Sequence, residues 1–123
     1  HVEACNPFSL VAFEAAYRHG GDWLEALLIY LDATRDCVDA RFRQQLPGVR
    51  VLPCEGTYLL WLDCRALGLD DAGLQARCLQ AGVGLSQGRQ FGAAGSGFLR
   101  LNMASPRAVI LAAVDRLITA LTA

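Results

Sequence analysis

Gly97-Phe98-Leu99-Arg100-Leu101-Asn102-Met103 is an apolar run with one permanent cation at its centre. Side chains alternate across a strand, so Phe98, Arg100 and Asn102 share one face and Leu99, Leu101 and Met103 the other. The second face is the core candidate. The first then looks outward or into a cleft. Arginine stays charged at any working pH, so a guanidinium there calls for an anion.

Working outward from this strand, Ser105-Pro106 starts a last helix whose apolar face is Ile110, Val114, Leu117, Ile118 and Leu121. Upstream, Ser86 to Gly97 holds Gly88, Gly92, Gly95 and Gly97 and reads as a loop, first of all a flexible surface turn, with a mobile segment that closes over a ligand beside Arg100 as the functional alternative. Val83-Gly84-Leu85 reads as a short strand. Before it, Asp70 or Asp71 caps a helix running through Leu74, Cys78 and Leu79 and closed by Gly82. Val49-Arg50-Val51-Leu52-Pro53 and Thr57-Tyr58-Leu59-Leu60-Trp61-Leu62 form a hairpin around the turn at Glu55-Gly56. Tyr58 and Trp61 fit core or interface aromatics better than catalytic groups.

The N-terminal third is helical. Asn6-Pro7 is a start signal, followed by Phe8, Val11, Ala12, Ala15 and Ala16 at helical spacing, and Gly20-Gly21 stops it. Asp22-Trp23-Leu24-Glu25 resembles a capping box. The long helix that follows carries Leu24, Leu27, Leu28, Leu31, Val38 and Phe42 on one side and ends at Pro47-Gly48. The order is ααββαββα. It predicts an α+β domain over residues 1–123, with helices covering one face of a small, mostly antiparallel sheet.

Composition narrows the chemistry. Hydrophobic residues make up 54% of the chain, which argues against disorder. No apolar run is long enough to span a bilayer, and a net charge of −1 with scattered arginines offers no basic patch to nucleic acid. Cys5, Cys37, Cys54, Cys64 and Cys78 contain no C-x-x-C spacing, and His1 and His19 pair with none of them at ligand spacing, so no metal site is expected. The cysteines read as small buried hydrophobes of a reducing cytoplasm. All eleven basic residues are arginine. Without lysine, the chain alone cannot form an imine. The glycines match neither a dinucleotide fingerprint nor a P-loop.

Two readings of Arg100 follow from spacing: a bidentate grip on a substrate carboxylate, or an ion pair with Asp63 or Glu55 of the hairpin. Asp39–Arg43 on the long helix reads as an i,i+4 surface pair.

Several strings resemble one family. Ala15–Asp36, Pro53–Leu69, Ala81–Arg107 and Asp115–Leu121 are similar to the C-terminal, small domain of class I/II aminotransferases of fold type I. The branch is that of the MalY/PatB-type C–S lyases (cystathionine β-lyases). The combination E-G-T-Y-L-x-W-x-D, G-x-x-F-G and G-F-x-R-L-N, in this order, carries the likeness over about Val2 to Leu121. Departures are Ser105, where the family often has Cys, and Thr34-Arg35, where it often has Asn-Arg.

The resemblance implies that Arg100, the arginine of the R-L-N motif, binds the substrate carboxylate. Ser86, Gly88 and Arg89 become cleft-edge candidates, with no catalytic residue in this chain. It implies a cytoplasmic, homodimeric enzyme that uses pyridoxal 5′-phosphate (PLP) and acts on a small amino acid, a lyase or a transferase. The lysine that holds PLP, and most of its phosphate ligands, would lie in a large domain outside this chain, making the chain inactive alone. The reaction implied is C–S β-elimination, with an aminotransferase or a stand-alone binding module as alternatives. Opening on His1 rather than Met, the chain reads as part of a longer protein.

Overall fold

The computed structural model describes residues 6–122. His1 and Cys5, both weighed above as ligands, lie outside them. Two compact units divide the chain, one up to Asp32 and one from Ala33 onward. No helix among the described residues is long and apolar enough to cross a membrane.

In the first unit, helix α1 (Pro7–His19) starts as expected: the Asn6 side chain accepts the Phe8 N–H at 2.9 Å, and Pro7 occupies the first turn. Its apolar residues are exposed, Phe8 and Tyr17 by 80% or more. Helix α2 (Gly21–Gln45) begins one residue before Asp22. The expected capping box therefore does not form. Asp22 sits inside the first turn, where a negative charge still complements the helix dipole. Leu24 and Leu28 are about half exposed, so this stripe is core only from Leu31 on.

The second unit holds the core. The second half of α2 buries Thr34, Val38 and Phe42, and pairs Asp39 with Arg43 at 2.8 Å as its spacing indicated. Strands β1 (Arg50–Val51), β2 (Leu59–Asp63), β3 (Ser86–Gln87) and β4 (Phe98–Asn102) form one sheet in the order β1-β2-β4-β3. Every neighbour is antiparallel. Leu60 and Leu62 on β2, with Leu99 and Leu101 on β4, are buried on one face. Helix α3 (Asp71–Gln80) adds Leu74 and Cys78, and α4 (Arg107–Thr122) adds all five residues of its expected apolar face. Ties between helices hold this layer: Arg41 of α2 pairs with Asp115 of α4, and Arg77 of α3 donates to the Ala120 carbonyl at 2.8 Å. The expected α+β class and element order are found.

Three local readings need correction. The hairpin strands are shorter at the turn: β1 ends at Val51 and pairs only with Leu62 and Asp63, while β2 starts at Leu59 by pairing with β4, just after Thr57 at φ +66° turns the chain. Val83–Leu85 is not a strand. Val83 donates its N–H to the Cys78 carbonyl and Gly82, at φ +66°, donates to Leu79, which is a Schellman closure of α3. With Val83 committed to the helix end, pairing waits until Ser86. The glycine-rich stretch is not an open loop either. It contains β3 and two 3-10 turns, Gly88–Phe91 and Ala93–Gly95.

Candidate functional site

Ladder register places the outward sheet face. Arg50 pairs with Asp63, which pairs with Phe98, making one row across β1, β2 and β4. Trp61 pairs with Arg100, which pairs with Ser86, making the next row across β2, β4 and β3. Directly paired residues share a face. Arg100 is therefore flanked by Trp61 on one side and Ser86 on the other.

Arg100 is half-buried, and one of its terminal nitrogens donates to the Ser86 hydroxyl at 3.1 Å. The guanidinium carbon lies 4.7 Å from the centre of the Phe91 ring, in cation–π range. Phe91 meets Trp61 edge-on at 5.7 Å, and Trp61 stacks on Phe98 at 5.8 Å. An aromatic bed thus runs beneath and beside the cation.

Neither carboxylate proposed from spacing pairs with Arg100. Asp63 is only 4% exposed and is held by Arg50 at 2.6 Å and by Arg65 through two bonds at 3.0 Å. The Arg65 and then the Arg50 guanidinium hold its carboxyl well below the usual carboxylate range, outweighing the opposing effect of burial. Glu55 is exposed in the hairpin turn. Among the described residues no carboxylate forms an ion pair with Arg100, whereas Arg18, Arg35, Arg41, Arg43, Arg50, Arg65 and Arg89 each have one.

The segment after β3 is shaped by its glycines. A Cβ on Gly95 would collide with the Gly88 backbone, and one on Gly88 with the Gly95 carbonyl and with Phe98. This close approach folds the two 3-10 turns together and puts Phe91 under Arg100. Asp71 pins the far end, accepting from the Gly97 N–H and the Ser96 hydroxyl at 2.8 Å each. Those two bonds, the backbone one first, lower its carboxyl pKa. Arg89 stands 3.8 Å from the same carboxylate, with its side chain mostly exposed.

Of the four residues singled out from sequence, Ser86 touches Arg100 directly, Gly88 shapes the turn, and Arg89 faces Asp71. Phe91 and Trp61 were missed as site residues. Phe91 is the aromatic of the G-x-x-F-G string itself, and Trp61 falls opposite Arg100 only once the register is known. Thr34 and Arg107 are joined, Arg107 donating to the buried Thr34 hydroxyl at 3.0 Å. The helix position where the family often has Asn therefore meets the residue two beyond Ser105, the other departure.

Cys64 and Cys78 are buried and free, as expected, while Cys37 and Cys54 are only half-buried. Burial pushes the Cys64 thiol up to about 12 and raises that of Cys78 as well. No group of three or more potential metal ligands occurs among the described residues. A concavity beside α2, lined by Arg35, Asp39, Arg43 and Val51–Glu55, includes none of the candidate residues. Arg100 stands, half-buried, on the sheet face opposite buried Leu99 and Leu101.

No family model matches the chain. It is, however, 39% identical over 118 residues to the cystathionine beta-lyase PatB of Bacillus subtilis, covering 95% of this chain and 30% of that protein. The protein MalY of Escherichia coli is 37% identical over 116 residues, 94% of this chain and 30% of its own length. Among solved structures, cystalysin of Treponema denticola, which contains a pyridoxal 5′-phosphate cofactor, superposes with a TM-score of 0.90 at 32% identity. That match covers 95% of this chain and 30% of cystalysin. The chain spans about a third of the length of the curated relatives it matches. Over nearly its whole length it is homologous to part of the PatB/MalY branch of PLP-dependent enzymes, as its motifs indicated.

Proposed function

We propose that this chain, as a homologue of one portion of the PatB/MalY-type C–S lyases, is the substrate-gripping small domain of a PLP-dependent enzyme acting on amino acids. Arg100 is the residue that holds the α-carboxylate. The observation that carries this reading is the half-buried guanidinium on the sheet face away from the core, with no carboxylate of its own among the described residues. A buried or half-buried cation without a counter-charge is costly, and a bound carboxylate relieves that cost through bidentate, charge-assisted hydrogen bonds. The planar fork also fixes the orientation of the amino acid, which sets where its Cα–H bond points.

The residues of this chain do not form a PLP site by themselves. It contains no lysine, so nothing in it can carry the cofactor as an imine. Its own contribution is to bind and orient. The reaction proposed for the full-length protein is C–S β-elimination from a sulfur amino acid, because the relatives matched over nearly the whole chain include a named cystathionine beta-lyase.

The test is to load the full-length protein with PLP, supply L-cystathionine, and follow pyruvate, ammonia and thiol release. Stoichiometric release supports the lyase. Transfer of the amino group to a 2-oxo acid without pyruvate replaces it with an aminotransferase. Neither activity leaves a binding module.

A further inference from the structure

We infer that Phe91 is a positioning residue for the Arg100 carboxylate grip: its ring forms the floor beneath the guanidinium group. The inference depends on the reading of Arg100 given above and extends it to a residue that never meets the carboxylate. Three contacts carry it. The guanidinium carbon lies 4.7 Å from the Phe91 centroid. The Ser86 hydroxyl takes one terminal nitrogen at 3.1 Å. Phe91 is itself braced edge-on by Trp61 at 5.7 Å, and Trp61 is the ladder partner of Arg100.

An arginine side chain has four rotatable bonds and loses much rotamer freedom when it is fixed in one pose. Ser86 restrains one corner of the fork but leaves rotation about that bond. The Phe91 ring beneath the guanidinium carbon adds a second point of contact and restricts that rotation. The remaining N–H edge can then meet a carboxylate in a single plane. Phe91 is 55% exposed, so hydrophobic burial does not account for its placement. The turn that carries it needs two glycine backbones in close approach, Gly88 and Gly95, to bring it there.

A floor of this kind acts on binding and orientation through Arg100 alone. The experiment is a double-mutant cycle in the full-length, PLP-loaded protein, with Phe91→Leu, Arg100→Ala and the pair, reading KM and kcat for L-cystathionine. Phe91→Leu is expected to raise KM roughly three- to tenfold, the size of a partly desolvated cation–π contact, with a smaller effect on kcat. In the Arg100→Ala background the same change should add nothing. Phe91→Tyr, which keeps the ring, should restore KM to near the parent value, and thermal stability should stay flat because the site is exposed. An equal KM increase in both backgrounds, or no rescue by Tyr, overturns the inference while leaving Arg100 in place. An Arg100→Ala protein with unaltered KM overturns the Arg100 reading, and this inference with it.

Discussion

The Asp71 carboxylate accepts the Gly97 backbone N–H at 2.8 Å, joining the first turn of α3 to the residue that leads into β4. A second bond at 2.8 Å brings in the Ser96 hydroxyl. Asp70 caps α3 by accepting the Gly73 N–H, which leaves its neighbour free for this task. Replacing Asp71 with Ala should speed amide exchange at Gly97 while the amides of Leu99 and Leu101 keep their protection. Equal protection at Gly97 in parent and variant would show that Asp71 does not hold the turn.

Gly95 is the second lever on the same segment. Its Cβ position is filled by the Gly88 backbone, which cannot yield as a flexible side chain would. Gly95→Ala should therefore cost about 1–3 kcal/mol in urea unfolding. It should also raise KM, because the turn that carries Phe91 must shift. A variant as stable as the parent, with parental KM, would mean that the close approach is not required.

Asp63 sets an acid limit on stability. Its carboxyl titrates below the ordinary aspartate value of about 3.9, since two guanidiniums favour the charged form. A lowered folded-state pKa contributes stability that is complete above the unfolded value and is lost as pH falls through the folded one. Stability should drop below about pH 4, and Asp63→Ala should flatten that drop. At neutral pH the same substitution should cost about 1–3 kcal/mol, at the low end because Arg50 and Arg65 are exposed and can rehydrate. An unchanged acid limb in the variant would remove Asp63 from this role.

Thiol reactivity should divide the cysteines. Cys64, buried and pushed up to about 12, and Cys78, also buried, should resist iodoacetamide at pH 8 in the native protein. Half-buried Cys37 and Cys54 should be alkylated first. Rapid labelling of Cys64 before unfolding would contradict the packing described.

Much of this was legible in the chain. The alternation through Phe98–Met103 put Leu99 and Leu101 inside and Arg100 outside, and the face of α4 was read residue for residue. Strong periodicity survives folding because burial selects it. What escaped depended on non-local geometry. Val83 looked like a strand residue, yet its N–H closes α3. The glycine-rich segment looked like an open loop, because a backbone contact between Gly88 and Gly95 leaves no trace in hydropathy. The alternative partner for Arg100 was likewise settled only by register, which gives Asp63 to Arg50 and Arg65. Phe91 could have been suspected from its place in the G-x-x-F-G string, but not as the ring beneath that cation.

The carboxylate grip is tested most directly by Arg100→Lys in the full-length, PLP-loaded protein, comparing KM for L-cystathionine with the inhibition constant of its analogue lacking the carboxylate of the cysteine half. Lysine keeps the charge and loses the fork. The expected result is a KM raised about tenfold or more for the amino acid and little change in the inhibition constant of the analogue. Equal KM of parent and variant for the amino acid would contradict the account.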